Sequence, residues 1–578
     1  MKDDWKLIKL FYSYVSPYKI WVYFAVSAIP VTTAAAIVIP WLIVKIVDDH
    51  LVPHQIEGLQ LMLLLLLGAV VIGYLMDALY TYSLQHSGQQ AIADLRKALY
   101  EHSLSLPRIY FDKTPIGVTL SRMTSDMEAI GESLAVGVMG LFVDITKTLA
   151  LLALLFYLSW QLTLVIMVVI PLVYFIVSLL RKKLRNYFNL SREALAQATS
   201  YLTESLNGIK TVQLFAAEKK VAQVFYSRNQ RFLKAQNQSN IYDAALFSLI
   251  EGITTVTLAM VIWYGAGEII KGAITIGVLI GFINTLNKIF IPIREFAQQV
   301  AMIQRALAAL EHIDQLLKQE PEKEGVEVES LIGFDKLEFK NVHFSYGPET
   351  EKVLNGVSFT LEKGKKLAIV GATGSGKSTV LRLITKSYRD YTGEVTINGQ
   401  ELDTIPKAQL LRCVSLMQQD VYLFNEALNF NISLERPNIG MEEVESAAKY
   451  VYAHKFIDEL DEKYQTKVID NGKNLSAGQA QLVSFARAIA GRSELILLDE
   501  ATSSVDSVTE DLIQKAIDKI LAEKSVIAVA HRLSTVRKAD QILVMKKGEI
   551  IERGNHQSLV EQGGYYLELL KDLDKKES

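Results

Sequence analysis

Cysteine is almost missing from this sequence, and charged residues are fewer than in most soluble proteins. The single cysteine among 578 residues, Cys413, excludes an intramolecular disulfide framework and a cysteine-rich metal site. A net charge of -3 and a pI near 6.4 show no basic excess, so no nucleic-acid partner is expected. With 21% charged and 50% hydrophobic residues and a mean hydropathy of +0.21, a disordered chain is excluded and membrane segments are indicated.

Long apolar runs are present in the first half of the chain. Six are long enough to span a membrane as helices, which takes about 20 residues each, namely residues 21–47, 59–84, 136–158, 162–180, 244–264 and 274–293. Basic residues follow the second and fourth runs, whereas the link at 48–57 contains no Lys or Arg. Because basic loops stay in the cytoplasm, we predict that these two loops and both termini are cytoplasmic. The chain is thus expected to be an integral protein of a bacterial plasma (inner) membrane.

The two basic loops are expected to continue the membrane helices, because they contain few helix breakers. About 20 extra residues would carry each helical pair roughly 30 Å away from the membrane. Before the first run, Lys6 and Lys9 share a helical stripe beside apolar residues, which is typical of an interfacial helix. We therefore expect a six-helix transmembrane domain over residues 1–317, with an N-terminal interfacial helix.

A second domain is expected over residues 334–578, after a charged linker with helix breakers at residues 318–333. Short β-rich runs such as KKLAIVG, ELILLDE and SVIAVAH alternate there with helical stretches. This alternation predicts an α/β domain with a mainly parallel sheet. The expected fold class is therefore a multi-domain membrane protein, in which an α-helical transmembrane domain is followed by an α/β domain.

The segment GATGSGKS, residues 371–378, lies between an apolar strand and a helical run, which is the context that a phosphate-binding loop (Walker A) requires. Its glycines would let backbone N–H groups wrap a phosphate at a helix N-terminus. Lys377 would reach the β and γ phosphates, and the Ser378 hydroxyl would ligate Mg²⁺. A chance glycine turn is the alternative, which the eight-residue match and its context disfavour. We therefore predict nucleotide binding.

Two carboxylates end the apolar run ELILLDE and would meet the phosphate loop in a doubly wound sheet. Asp499 suits Mg²⁺ coordination, and Glu500 could accept a proton from the attacking water or orient it. An acidic pair on a surface turn is the alternative, but the nearby phosphate loop favours catalysis. The second domain is thus predicted to be an α/β P-loop ATPase.

Several further motifs carry a family resemblance. The segment LSAGQ at residues 475–479 resembles the signature of ATP-binding-cassette (ABC) proteins and lies shortly before the acidic strand. Tyr346 in VHFSY, Gln419 in MQQDVYLF, residues 504–506 and His531 in VAHRLS complete the pattern. The first part is similar to the multidrug and lipid exporter branch, with LRKALYEHSLSLPRIYFD, the stretch 117–126, GIKTVQLFAAE and GAITIGVLIGF. The resemblance covers nearly the whole chain and implies an ABC exporter half-transporter.

The resemblance also implies roles for individual residues, with ATP and Mg²⁺ as cofactors. Tyr346 would stack on adenine, although a buried strand aromatic is the alternative. The expected catalytic residues are Glu500, His531, which would hydrogen-bond the γ-phosphate, and Gln419, which would sense Mg²⁺ and the attacking water. The expected ATP-binding residues are Tyr346, Gly371, Ala372, Thr373, Gly374, Ser375, Gly376, Lys377, Ser378 and Thr379, with Ser476, Gly478 and Gln479 acting on the ATP of a second subunit. The expected Mg²⁺ ligands are Ser378, Gln419 and Asp499.

A dimer is implied, because in this family the signature of one subunit covers the ATP of the other. ATP would close the paired nucleotide domains, and loop tips near 111–117 and 211–217 would transmit the motion to the membrane. Ala477 stands where glycine is usual in the signature, and Asp470 stands where glutamate is usual. The residues expected to act on this chain's own ATP fit the family pattern, whereas these two positions near or in the signature depart from it. This asymmetry favours a heterodimer with a different half-transporter, while a homodimer stays open.

The expected function is ATP-driven export of an amphipathic drug, lipid or peptide. A nucleotide-gated channel or a regulatory membrane ATPase is the alternative, and the six apolar runs disfavour a soluble cassette protein. Polar groups at membrane depth usually face protein or water, so Glu251, Asn284 and Lys288 are candidates for the substrate cavity. A structural Glu251–Lys288 pair is the alternative. The same ambiguity applies to Asp77, Asp144 and Lys147.

Overall fold

Long helices form the first part of the chain in a computed structural model that describes residues 2–322, 331, 333–347, 350–499, 507–530 and 532–577. The chain divides into two units. The first unit comprises Met1–Leu104 and Gly117–Gln319, and the second comprises Ser105–Ile116 and Glu320–Ser578. Most of the expected linker, residues 323–330 and 332, lies outside the described residues.

Eleven helices precede the first described strand. They are α1 Lys2–Val15, α2 Lys19–Ile46, α3 Leu59–Leu104, α4 Arg108–Lys113, α5 Ile116–Met123, α6 Ser125–Glu132, α7 Met139–Leu158, α8 Trp160–Asn207, α9 Ile209–Leu214, α10 Glu218–Ile270 and α11 Ile276–Leu317. Helix α4 lies within the second unit. Single π-helical turns extend α2 over Val47–Leu51 and precede α7 over Ser133–Val138.

Each of the six predicted apolar runs lies in one of these helices and its flanking turns. By length and composition, four described helical segments could cross a membrane: Asp4–Leu51, Leu59–Leu104, Met139–Leu158 and Glu218–Ile270. Shorter described apolar segments, Trp160–Val169 and Ile276–Leu286, lie in α8 and α11. The positions of the six runs on helices therefore agree with the predicted helical membrane domain.

Four described helices are much longer than a membrane is thick. Helices α3, α8, α10 and α11 contain 46, 48, 53 and 42 residues. At 1.5 Å per residue they are about 60–80 Å long, against roughly 30 Å for the hydrocarbon layer. The prediction that the membrane helices continue beyond the membrane is therefore confirmed, whereas the side to which they extend remains a prediction.

Asp48 shows why α11 begins where it does. The Thr275 side chain accepts from the Val278 N–H at 3.3 Å, as an N-cap does. The Asp48 carboxylate accepts from the Thr275 hydroxyl at 2.5 Å and from the Gly277 N–H at 2.7 Å. A carboxylate is favoured at this end because a helix N-terminus carries partial positive charge. The end of the first predicted span is thereby joined to the start of the last.

The second unit is an α/β structure. Its strands are β1 Lys336–Phe344, β2 Leu354–Glu362, β3 Lys366–Gly371, β4 Tyr391–Ile397, β5 Gln400–Glu401, β6 Val414–Met417, β7 Leu495–Asp499, β8 Ser525–Val529, β9 Gln541–Lys546 and β10 Glu549–Gly554. Its further helices are α12 Lys377–Ile384, α13 Lys407–Cys413, α14 Leu428–Ser433, α15 Met441–Tyr450, α16 Ala453–Asp458, α17 Ala477–Ala490, α18 Ser507–Glu523, α19 Leu533–Arg537, α20 His556–Gln562 and α21 Tyr565–Glu577.

The larger sheet positions the predicted nucleotide site. Its order is β10-β9-β3-β8-β7-β6, and all its pairs except β10–β9 are parallel. Alternate residues of β3 enter different cores: Leu367 and Ile369 pack into one cluster, and Ala368 and Val370 into the other. A sheet that is buried on both faces needs such continuous apolar strands. The described α/β fold confirms the predicted fold class.

Candidate nucleotide-binding site

The predicted phosphate-binding segment, residues 371–378, spans the end of β3, the connecting residues 372–376 and the start of α12. Gly374 and Gly376 have φ angles of +81° and +103°, which glycine adopts without strain. At Gly376, an added Cβ would lie 2.8 Å from both the Leu354 side chain and the Val353 carbonyl oxygen. Ala372, Thr373 and Gly374 are exposed, so the rim of the loop opens to solvent. The strand, loop and helix that the motif requires are therefore present.

Lys377 begins α12, and only 6% of it is exposed. Its Nζ donates to the carbonyl oxygens of Gly371 at 2.9 Å and Ala372 at 3.0 Å. Burial lowers the pKa of the Lys377 ammonium, while the Asp499 carboxylate raises it. A buried ammonium needs an anionic partner, and a phosphate bound in the loop would supply one.

Ser375 provides a second indication of a ligand. Its hydroxyl is buried and has no hydrogen-bond partner among the described residues. Its backbone is already engaged, since its N–H donates to Ala372 and its carbonyl accepts from Gly548, both at 3.1 Å. An unpaired buried hydroxyl costs about 1–3 kcal/mol, and a phosphate oxygen could accept its proton. The loop thus fits a phosphate group.

Ser378 and Asp499 lie together at the end of the sheet. The Ser378 hydroxyl donates to Asp499 Oδ1 at 3.3 Å. Both are hard oxygen ligands, which suit Mg²⁺. Gln419, the third expected ligand, is exposed two residues after β6, and no described hydrogen bond joins it to Ser378 or Asp499. Because β6 and β7 are parallel neighbours in register, Gln419 and Asp499 nonetheless leave the same sheet edge.

Two expected catalytic residues, Glu500 and His531, lie outside the described residues, as do residues 501–506. The strands before them are described, and Asp499 of β7 pairs with Val529 of β8. The roles expected for Glu500 and His531 therefore remain predictions from the sequence.

Tyr346 follows β1 and lies beside α12. Its hydroxyl hydrogen-bonds to Thr379 Oγ1 at 2.9 Å and accepts from Arg382 Nη1 at 3.0 Å. Its ring meets the edges of Phe344 and Tyr388, each with a centroid distance of 5.0 Å. The residue is half-buried and comes after the strand ends, which disfavours the buried-strand interpretation. Its adenine role stays a prediction.

Tyr388 and Asp112 were missed from the sequence. The Tyr388 hydroxyl donates to the Asp112 carboxylate, which also accepts from Arg108 Nε at 3.2 Å. Burial and this hydrogen bond raise the pKa of Tyr388 to about 12, so the hydroxyl stays protonated as a donor. Helix α4 is thereby connected to the aromatic group around Tyr346. Asp112 lies in the family-like segment LPRIYFD, which could have indicated a functional role for it. Tyr388 lies in no motif that could have done so.

The signature segment caps α17. The Ser476 side chain accepts from the Gln479 N–H at 3.2 Å, and the Ser476 N–H donates to Gln479 Oε1 at 2.9 Å, forming a capping box. Gly478 is buried and Ala477 is exposed. Asp470, with a φ of +46°, forms an ion pair with a nearby lysine, Lys473, at 3.3 Å.

The cavity candidates lie on two helices of the first unit, Glu251 on α10 and both Asn284 and Lys288, one turn apart, on α11. Glu251, Asn284 and Lys288 are exposed. Within the described part of the chain, no ion pair joins Glu251 to Lys288, so the structural pair considered from the sequence is not formed.

Other polar residues of the predicted spans do pair. Lys147 Nζ lies 3.1 Å from Asp77 Oδ1, which links α7 to α3. Gln299 of α11 donates to Asp144 Oδ2 at 2.8 Å. Gln299 was not predicted, because it lies beyond the apolar run of its helix.

Comparisons with known proteins cover both units. The family model described as ABC transporter transmembrane region matches residues 22–293, and the family model described as ABC transporter matches residues 354–503. The uncharacterized ABC transporter ATP-binding protein YknV of Bacillus subtilis is 35% identical over 573 residues, covering 98% of this chain and 94% of that protein. The ATP-dependent lipid A-core flippase of Desulfotalea psychrophila is 30% identical over 97% of this chain and 98% of its own length.

Two further comparisons agree. The probable multidrug resistance ABC transporter protein YheH of Bacillus subtilis is 33% identical over 89% of this chain and 77% of its own length. A solved bacterial Atm1-family ABC exporter with ATP bound has the same fold, with a TM-score of 0.75, over 96% of this chain and 98% of that chain, at 24% identity. The chain therefore belongs to the ABC transporter family and is an integral membrane protein that binds ATP and couples its hydrolysis to transport.

Proposed function

We propose that this chain is one half of a dimeric exporter that moves an amphipathic drug, lipid or peptide outward across a bacterial plasma membrane. Family membership makes it an ATP-driven exporter. The observation that carries the finer proposal is the phosphate loop with Lys377 buried against it, in a chain that also has the membrane helices. Two relatives are named as a lipid A-core flippase and a probable multidrug resistance transporter, which supports a lipid or drug as the substrate class.

The phosphate loop would bind the ATP phosphates. On binding, the Lys377 ammonium would exchange its two carbonyl partners for the β and γ phosphate oxygens, and the Ser375 hydroxyl would gain a partner. The backbone N–H groups of the loop, including those of Ala372, Thr373 and Gly374, would wrap the same phosphates. Tyr346 would stack on the adenine, held in place by its hydrogen bonds to α12.

Hydrolysis would then depend on the residues at the carboxyl ends of the strands. Ser378, Gln419 and Asp499 would hold Mg²⁺, which would neutralise charge on the β and γ phosphates. Glu500 would accept a proton from the attacking water, and His531 would hydrogen-bond the γ-phosphate. These roles rest on the sequence motifs together with the described Ser378–Asp499 contact.

The second ATP-binding surface would come from the partner subunit. Ser476, Gly478 and Gln479 at the start of α17 would cover the ATP of the other subunit, where a helix N-terminus favours phosphate. The exposed Ala477 would face that same ATP. This arrangement makes ATP binding favour the closed dimer, and hydrolysis would remove that preference.

The membrane-side assignments are also proposals. We place the transmembrane domain at residues 1–317, the linker at 318–333 and the nucleotide-binding domain at 334–578, with both termini in the cytoplasm. Glu251, Asn284 and Lys288 would contribute to the substrate cavity, because exposed polar groups at this depth are too costly in lipid. Helix α4, tied to Tyr388 through Asp112, would carry the motion of the nucleotide domain to the membrane helices.

The test uses the purified chain in proteoliposomes, alone and with a different half-transporter from the same genome. A panel of amphipathic drugs and fluorescent lipids is screened for stimulation of ATPase and for movement against a gradient, with Glu500→Gln as the matched inactive control. We expect some compounds to stimulate ATPase and to be accumulated only when ATP is hydrolysed.

A channel would give a different result. Downhill flux that opens with ATP, persists in Glu500→Gln and never builds a gradient would overturn the exporter proposal and support a nucleotide-gated channel. ATPase activity with no movement of any compound would favour a regulatory membrane ATPase.

A further inference from the structure

The helix α8 carries an unbalanced positive charge where its apolar run ends. Residues 160–192 contain five basic residues and no acidic residue. Four of these basic residues lie within residues 181–185, directly after the apolar run 162–180. The side chains of Lys182, Lys183 and Arg185 are exposed.

The length of the apolar run places this segment at the membrane surface. Nineteen helical residues rise about 28 Å, which matches the roughly 30 Å hydrocarbon thickness of a bilayer. Lys182, Lys183 and Arg185 follow within about 8 Å of the end of the run. They would therefore lie at the level of the lipid headgroups.

The neighbouring helix α10 independently indicates the same membrane depth. In α10, the apolar run 244–264 begins two residues after Tyr242. The Lys183 ammonium lies 5.8 Å from the centre of the Tyr242 ring, and Tyr187 stacks on Tyr242 at 5.2 Å. The polar boundaries of α8 and α10 therefore lie side by side. Aromatic residues are enriched at this depth of a membrane.

The positive charge has no counter-charge in the described structure. Lys182, Lys183 and Arg185 form no ion pair with any described side chain, and the adjacent acid on α10, Asp243, pairs with none of the three. Two basic residues near other span ends do have acidic partners. Lys45 lies 3.3 Å from Asp49, and another lysine, Lys271, lies 2.9 Å from the Glu268 carboxylate.

We propose that Lys182, Lys183 and Arg185, with Tyr242 beside them, form a binding site for the phosphate headgroup of an anionic phospholipid. The ammonium and guanidinium groups would supply the charge, and the guanidinium can bind phosphate oxygens in a bidentate way. The apolar face of α8 just below would contact the acyl chains. Each basic residue next to a membrane helix raises the affinity for anionic lipids roughly fivefold.

The site is tested by lipid binding, which does not depend on the transported substrate. The full chain is placed in nanodiscs of phosphatidylcholine that contain a minor fraction of phosphatidylglycerol, and retained lipids are counted by native mass spectrometry. The variant is Lys182→Gln/Lys183→Gln/Arg185→Gln. The matched control, Lys210→Gln/Lys219→Gln/Lys220→Gln, removes the same charge from exposed residues, two of them about 33 Å along α10 from Tyr242.

We expect the parent and the control to retain phosphatidylglycerol in preference to phosphatidylcholine. In the triple variant this preference should be at least about tenfold smaller. Inorganic phosphate at matched concentration should not displace the lipid. Equal competition by inorganic phosphate would overturn the lipid assignment in favour of a free phosphate.

A charge-preserving variant separates binding from folding. Lys182→Arg/Lys183→Arg/Arg185→Lys should retain the lipid preference, and it serves as the folded comparison if the neutral variant assembles poorly. Unchanged retention in a folded neutral variant, or an equal loss in the charge-preserving one, would overturn the proposal. Neither result would affect the ATP-driven exporter assignment.

Discussion

The Lys377 ammonium is hydrogen-bonded to the carbonyl groups of Gly371 and Ala372 in the phosphate-binding segment. This position explains why we expect ATP affinity to depend on Lys377. A charge-assisted hydrogen bond to phosphate is worth about 1.5–3 kcal/mol, so Lys377→Ala should weaken ATP binding roughly 10- to 150-fold. The affinity is measured by titration with a fluorescent ATP analogue. Lys365→Ala, which removes an exposed charge at the other end of the same strand, should bind as the parent does. Equal affinities for the parent and the Lys377 variant would contradict the phosphate role.

Lys386 is an ionisable residue of the same unit whose burial predicts a pH effect. It is 1% exposed, and its ammonium donates to the carbonyls of Asp403 at 3.2 Å and of Ile405. Burial lowers the pKa of Lys386 to about 8, whereas an unfolded lysine has a pKa near 10.4. Between these values the unfolded chain binds more protons, so the free energy of unfolding rises with pH.

This pH dependence is measured against a variant that cannot titrate. Lys386→Met removes the ionisable group, so the melting temperature of the parent minus that of the variant should increase from about pH 7.5 to about pH 9.5. Calorimetry is the appropriate method, because all five tryptophans lie before residue 264, in the first unit, and would not report the second. A difference that is flat or falls with pH would show that Lys386 is not a buried ammonium.

Helix α4 and the aromatic group around Tyr346 form a connection within the second unit. Tyr388 meets the ring of Tyr346 and donates to Asp112 of α4. Tyr388→Phe keeps the ring and removes only the hydrogen bond. We therefore expect basal ATPase to change little, while stimulation by a transported compound falls at least roughly tenfold, as for the loss of a hydrogen bond to a charged group, which is worth about 1.5–3 kcal/mol.

A double-mutant cycle tests whether the hydrogen bond itself is responsible. Tyr388→Phe and Asp112→Asn should each reduce stimulation, and the double variant should be no worse than the more severe single variant. Tyr422→Phe removes a hydroxyl from a tyrosine that is 54% exposed and serves as the control. Additive losses would mean that the two residues act independently, which would contradict the connection.

These elements show what local sequence could and could not predict. The strand, loop and helix around Gly371 were predictable, because their motif depends on neighbouring residues and on glycine conformations. The long membrane helices were predictable because apolar runs and the absence of breakers persist along the chain. The Tyr388–Asp112 contact joins residues 276 positions apart, and no local pattern specifies such a pair. The pairing of Asp144 with Gln299 rather than of Glu251 with Lys288 likewise depends on how helices pack.

The dimer raises the question of which partner completes the second ATP site. Ala477 is exposed in the first turn of α17, and the capping box of Ser476 and Gln479 is intact. Its methyl group therefore does not disturb this chain's own fold, and any effect would fall on the ATP of the partner. The motif residues expected to act on this chain's own ATP, from Lys377 to His531, all fit the family pattern. This asymmetry favours a partner whose own catalytic residues are degenerate.

We therefore predict that the chain expressed alone has ATPase at least roughly tenfold below that of the mixed dimer, a barrier difference of about 1.4 kcal/mol. A related but different half-transporter should restore activity when it is co-expressed, and Glu500→Gln in this chain should then abolish turnover. Ala477→Gly separates the two kinds of dimer, because it should leave the mixed dimer nearly unchanged if it faces a degenerate site. In a homodimer the same change faces a working site and should raise the ATPase of the chain alone. Full, substrate-stimulated ATPase from the chain purified alone would contradict the heterodimer and leave the ABC exporter assignment intact.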